Sequence, residues 1–173
     1  MPTVRAATDD ASLLEQVLFE VRRVIVGQGH LVERLVVALL AGGHLLLAGP
    51  PGVAKTLAAA TLATVVGGSF ARVQFAPVVL PADITGTRIC RTSTEQFDVE
   101  LGPVSVNPLL ADEVIRAPAK VQSALLEVMA ERQVSIGGRT YAVPAPFLVV
   151  APQNPAESGG AYPLPEAHAT GFS

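Results

Sequence analysis

Residues 44–56 read HLLLAGPPGVAKT, and the fold turns on whether they are a strand feeding a phosphate-binding loop. The first six are a short, uninterrupted apolar run of the kind that forms a buried strand. Gly49, Pro50, Pro51 and Gly52 then impose a tight loop. From Lys55 to Val66 the pattern is helical, and Gly67 and Gly68 end it. Strand, loop and helix in that order are the context that the motif G-x-x-x-x-G-K-[ST] requires. One letter departs from it: Ala54 stands where the second glycine is expected.

In a working loop of this kind, Gly49 and Gly52 let backbone N–H groups face phosphates, and the helix N-terminus adds positive potential. Lys55 would reach the β- and γ-phosphates, and the Thr56 hydroxyl would ligate Mg²⁺. A Gly/Pro turn followed by an exposed lysine would spell the same letters, so the surroundings must decide.

Upstream, Leu13, Leu14, Val17, Leu18, Val21, Val24 and Ile25 recur at helical spacing. Ser12 and Glu15 are placed as a capping box for that helix. VGQG (26–29) breaks the pattern, and a second helix carries Leu31, Leu35, Leu39 and Leu40 to a stop at Gly42. Downstream, FARVQF (70–75) reads as a strand, 81–103 as a polar stretch rich in turns, and PLLADE (108–113) as a buried strand. Pro118 opens a helix with Val121, Ala124, Leu125, Val128 and Met129 in one stripe. QVSIGGRTYAV (133–143) alternates about Gly137-Gly138 as a hairpin, and FLVVAPQN (147–154) is a fourth buried strand. Strands alternating with helices predict an α/β fold with a parallel sheet.

The sequence of 173 residues is half apolar and 16% charged, with a net charge of -3, as expected for a globular domain. The acidic balance and lack of a basic run argue against a dedicated nucleic-acid surface. The single Cys90 excludes an internal disulfide and a C-x-x-C metal site. No signal peptide or membrane span is read, so a cytoplasmic location is expected. His30, His44 and His168 lack ligand spacing and are expected to be structural.

PLLADE supplies what the loop lacks. Asp112 can hold magnesium, and Glu113 can orient and deprotonate a water; the same pair would also serve as an acidic start to the following helix. Asn154 ends another strand, where its amide could position the attacking water, although Asn-Pro is also a common turn.

With these blocks in order, the sequence resembles the MoxR family of AAA+ ATPases from about Val24 to Glu166. The likeness lies in VIVGQGHLVERLVVALLAGGHLLLAGPPGVAKT, VQFAPVVLPADITGT, LLADEVIRAPAKVQSALLEVMAERQVSIGGRTY and APQNPAESGGAYPLPEA. Alanine before the loop lysine is common in that family, which makes Ala54 a variant rather than a defect. The resemblance implies a P-loop NTPase fold of AAA+ type, with strand order 5-1-4-3-2 and helices flanking the sheet. It also implies that Val26, Gly27 and Gln28 line the adenine pocket. Gly49, Pro50, Pro51, Gly52, Val53, Ala54, Lys55, Thr56 and Leu57 would hold the nucleotide, with Thr56 and Asp112 at the metal. Glu113 and Asn154 would be catalytic, Asn154 as sensor 1, and the 133–143 hairpin would be the pre-sensor insertion. ATP and Mg²⁺ are the implied cofactors. A homo-oligomeric ring, chaperone-like remodelling of partner proteins and a von Willebrand factor A domain partner are implied as well.

The sequence also departs from the family pattern. Ile115 stands for an asparagine, Pro108 for a leucine, and Gly171 holds the arginine-finger position. The fifth strand and the helical lid with its sensor-2 arginine have no counterpart before Ser173. The expected organisation is an N-terminal helical segment, 1–25, and an AAA+ core, 26–173, incomplete at its C-terminus. The expected activity is ATP hydrolysis, impaired in the chain as it stands. A module that binds nucleotide with little turnover is the alternative, and a nucleic-acid motor is disfavoured by the acidic balance.

Overall fold

Leu109, Leu110 and Ala111 have no exposed surface, and neither have Val149, Val150 and Ala151. They form the inner strands of a parallel sheet covered on both faces, which is why they read as unbroken apolar runs. The computed structural model describes residues 4–49, 53–92 and 96–153. Its helices are α1 (Val4–Val24), α2 (Gly29–Ala41), α3 (Val53–Val65), α4 (Pro81–Thr85) and α5 (Ala119–Glu131). Its strands are β1 (Leu45–Ala48), β2 (Ala71–Gln74), β3 (Gly86–Arg91), β4 (Gln96–Leu101), β5 (Leu109–Asp112), β6 (Gln133–Ile136), β7 (Arg139–Ala142) and β8 (Val149–Gln153).

The main sheet has the order β1-β8-β5-β2, with every pair parallel. With the antiparallel hairpins β3–β4 and β6–β7 set aside, this is the 1-4-3-2 part of the expected AAA+ order. Strand alternation distributes the side chains between two cores. On one face Leu110, Leu148 and Val150 meet Val21, Ile25, Leu35 and Leu62 of the α1, α2 and α3 layer. On the other, Leu109, Ala111 and Val149 meet Ile84, Val121, Leu125 and Val134.

Local rules place most boundaries. Gly42 ends α2 at φ 63, a left-handed value that glycine adopts without strain. Asp83 accepts a hydrogen bond from the Leu80 N–H at 2.8 Å and so caps α4. Pro108 lies just before β5, where its missing N–H costs the ladder nothing.

Two expectations fail. Ser12 does not cap α1, because the helix begins at Val4 and runs through it; no glycine or proline lies between those residues to stop it. The 81–103 stretch is not merely turns: it holds α4 and the β3–β4 hairpin. Arg88 joins that hairpin to the β6–β7 hairpin. Its guanidinium carbon lies 4.5 Å from the Phe97 ring centroid. The same side chain covers the β6–β7 turn so closely that a Cβ added at Gly137 would overlap Arg88 Cδ.

His44 is the polar residue that ties the layers together. The Val149 N–H donates to its Nδ1 at 3.1 Å. The ring proton therefore sits on Nε2 and faces the Met129 carbonyl at 3.3 Å. The ring also packs edge-on against Phe147. At the end of α5, Arg132 donates to the Gly42 carbonyl beside it. Burial pushes the His44 pKa below its ordinary 6.5, with the nearby Arg132 charge acting in the same direction against the Met129 hydrogen bond.

A histidine held neutral in the fold but free to protonate when unfolded contributes stability that is complete above its unfolded pKa. That contribution is lost as pH falls below about 6.5. The stability advantage of wild type over His44→Asn should therefore shrink as pH is lowered through the slightly acidic range. Chemical denaturation at several pH values checks this, and a constant difference would contradict it.

Among the described residues, β1 pairs with β8 on one side and with no strand on the other. Leu45, Leu46 and Leu47 carry neither charge nor proline, the usual protections of an open edge. In a dilute monomeric sample of the 173-residue chain, amides of β1 should exchange faster than those of β5. Equal protection would mean that the edge is covered.

Candidate functional site

In a parallel sheet the carboxyl ends of all strands open on one edge, which is where ligands of α/β folds bind. Gly49, Gln153, Asp112 and Gln74 stand at that edge, at or just past the ends of β1, β8, β5 and β2. The Gly49 N–H donates to the Gln153 carbonyl at 3.0 Å, tying the start of the loop to β8.

Lys55 lies in the first turn of α3 and folds back over the end of β1. Its ammonium donates to the Gly49 carbonyl at 2.9 Å and to the Leu47 carbonyl at 3.3 Å. The charge is thus held at the mouth of the loop, beside a helix N-terminus whose first amides lack intrahelical acceptors. Ala54 and Thr56 are half-buried and Leu57 is exposed. Val53 opens α3. Pro50, Pro51 and Gly52 lie outside the described residues, as do Asn154 and Gly171.

Asp112 and Glu113 part company at the end of β5. The Asp112 side chain, only 20% exposed, is paired with Arg72 of the adjacent β2. Arg72 Nε and one terminal nitrogen both donate to Asp112 Oδ2, at 3.2 and 2.5 Å. That terminal nitrogen also donates to Gln74 Oε1 at 3.3 Å. Glu113 turns the chain with φ 55, and its carboxylate accepts from Arg116 at 2.7 Å. A left-handed backbone is costly for a residue with a Cβ. Its place at the mouth of the candidate site fits the general tendency of strain to collect where function fixes geometry.

Val26, Gly27 and Gln28 form the exposed turn between α1 and α2, with Val26 84% exposed. Gly27 has φ 76, so the turn needs glycine there.

The donor set fits a nucleotide and magnesium. Its candidate metal donors are hard oxygens, from Thr56 and Asp112. Among the described residues no group of three or more His, Cys, Asp or Glu could cage a metal alone. Magnesium suits such a site, since it is usually held by one or two protein oxygens together with phosphates and water.

Arg72 and Arg116 were not evident as site residues from sequence. Arg116 had a local signal, three residues after Glu113. Arg72 shows its role only once β2 is known to lie beside β5.

The backbone strain at Glu113 can be isolated by comparing two variants that both lack the carboxylate. Glu113→Gly should be more stable than Glu113→Ala by about 1 kcal/mol. Urea unfolding measures the difference, and the reverse order would show that the left-handed conformation carries no strain.

Comparison with known proteins agrees with the geometry. The family described as "ATPase family associated with various cellular activities (AAA)" matches residues 44–173. The chain is 65% identical to Chaperone MoxR1 of Mycobacterium tuberculosis over 92% of its length and 42% of that protein's. It is 33% identical to Protein MoxR of Methylorubrum extorquens over 86% of its length and 44% of that protein's. A crystal structure of a candidate ATPase from Cytophaga hutchinsonii superposes with a TM-score of 0.86 at 48% identity. It covers 98% of this chain and 52% of the other. The chain thus spans about half the length of the relatives it matches. The AAA+ sheet order, the loop lysine at the end of β1 and these likenesses agree that the chain belongs to the MoxR group of the AAA family of ATPases.

Proposed function

We propose that the chain binds Mg·ATP or Mg·ADP at the edge formed by β1, β8 and β5, and that ATP binding and hydrolysis drive chaperone-like remodelling of partner proteins. The observation that carries this reading is the convergence at one sheet edge of the Lys55 ammonium and the Asp112–Glu113 pair. Lys55 is positioned to exchange its carbonyl partners for phosphate oxygens. Thr56 and Asp112 would hold magnesium, which when bound would neutralise phosphate charge. Glu113 would accept a proton from water once Arg116 releases it, and Asn154 would orient that water. Val26, Gly27 and Gln28 would receive the adenine.

The chaperone reading rests on the name of the Mycobacterium tuberculosis relative. A homo-oligomeric ring, a von Willebrand factor A domain partner and a cytoplasmic location are carried by the family resemblance alone. Among the described residues no helix is long and apolar enough to cross a membrane.

The alternative, binding with little turnover, is favoured by Gly171. An arginine finger is typically worth ~10³–10⁵ in rate, and glycine supplies no cation.

Titration of a fluorescent ATP analogue should show strong loss of affinity in Lys55→Ala and near wild-type affinity in Glu113→Gln. Equal affinity of wild type and Lys55→Ala would remove the nucleotide assignment. In a phosphate-release assay the isolated chain should turn over very slowly, and fast, Glu113-dependent release would refute the impaired reading.

A further inference from the structure

Arg72 is unusual among the ion-paired arginines because its partner is the strand-end carboxylate of the proposed metal site. The other described arginine–carboxylate pairs join residues that are both more exposed than Asp112. The register of β2 against β5 sets Arg72 opposite Leu110 and Gln74 opposite Asp112. Arg72 and Gln74, two apart on one strand, therefore share a face. From there the guanidinium reaches diagonally across the ladder. Two of its nitrogens converge on the same oxygen, Oδ2, and the terminal one of them also donates to Gln74 Oε1. Oδ1 takes no part in this clasp.

We propose that Arg72 is a positioning residue that makes Asp112 a one-oxygen donor and thereby biases the site toward magnesium over calcium. With Oδ2 held by two N–H groups, the carboxylate can offer a cation or its bound water only Oδ1. Magnesium, small and octahedral, takes carboxylates one oxygen at a time. Calcium readily takes both oxygens of a carboxylate in a looser shell, and the clasp denies it that mode. Holding one oxygen also fixes the rotamer of Asp112, so less freedom is lost when a cation arrives. Hydrogen bonds that orient a ligating group are a general means of tuning a metal site.

This inference rests on the nucleotide-site reading above, and one titration separates the two. N-methylanthraniloyl-ADP is titrated against the 173-residue chain, Arg72→Gln, Arg72→Lys and Lys55→Ala in EDTA, in Mg²⁺ and in Ca²⁺. In Arg72→Gln circular dichroism reports whether the fold is intact, and each affinity in Mg²⁺ or Ca²⁺ is taken relative to that variant's own affinity in EDTA. The enhancement by Mg²⁺ should fall by about tenfold, the size usual for loss of a group that orients a metal ligand. The enhancement by Ca²⁺ should fall less, so the preference for magnesium narrows. Arg72→Lys keeps the charge but not the paired N–H groups, and it should narrow the preference in the same way. It carries the comparison if the glutamine variant fails to fold.

An unchanged magnesium-to-calcium preference, even with lost thermal stability, would reduce Arg72 to a tie between strands and overturn the proposal. A rise in magnesium affinity would overturn it too, by making Arg72 a competitor for the carboxylate. Wild-type binding no tighter than that of Lys55→Ala would remove the nucleotide site itself, and the proposal with it.

Discussion

Burial of β5 and β8 from both sides is the constraint on which the rest of the molecule depends. An apolar layer on each face leaves no place for a polar side chain along these strands. Charge can appear only where the strands run out. Asp112 is the first charged residue that β5 reaches, and it comes at the strand's last position. The location of the candidate site is thus a by-product of core packing: these two buried strands deliver their first polar residues, Asp112 and Gln153, to one edge. His44, a buried exception at the opposite end of the sheet, is tolerated because both of its ring nitrogens are engaged.

At that edge each of the three described charges, Lys55, Asp112 and Glu113, has a partner of its own. Lys55 rests on carbonyls, Asp112 on Arg72 and Glu113 on Arg116. Ligand binding at such a site is an exchange of partners, and its net free energy is a difference between two well-satisfied states. Arg116 is half-exposed, so its pair with Glu113 is partly screened by solvent and releases the carboxylate at modest cost, whereas the Arg72 contacts engage only one oxygen of Asp112 and leave the other to a ligand. Lys55 is the more deeply placed, and the carbonyls that hold it are weaker acceptors than phosphate.

The legible parts of the sequence were those governed by local rules. The apolar runs at 45–48, 109–112 and 149–153 gave the strands, Gly42 gave a helix end, and Gly137-Gly138 gave a hairpin. The loop motif located Lys55, and the family blocks supplied the sheet order. The β3–β4 hairpin was missed although Phe97, Val99 and Leu101 alternate with Asp98 and Glu100. Its charged residues outweighed a two-residue period that was there to be read. The partnership of Arg72 with Asp112 was beyond local reading. It spans forty positions and depends on which strands are neighbours, a property of topology rather than of any window of sequence. Ser12 shows the converse error, a good capping pattern overruled because nothing before it interrupts the helix.

The contact between Arg88 and the turn at Gly137 reaches beyond the geometry of two hairpins. The three atoms nearest to a side chain added at position 137 all belong to Arg88, which would have to shift to admit it. The two sites, far apart in sequence, are therefore bound in inheritance. A lineage that replaced Arg88 with a short residue would release Gly137 from its steric restriction, leaving only the demand of its positive φ. A change at 137 while Arg88 remains would dislodge the guanidinium from Phe97 and uncouple the hairpins. Substitution at 137 should accordingly cost more while Arg88 is present than after it has been shortened.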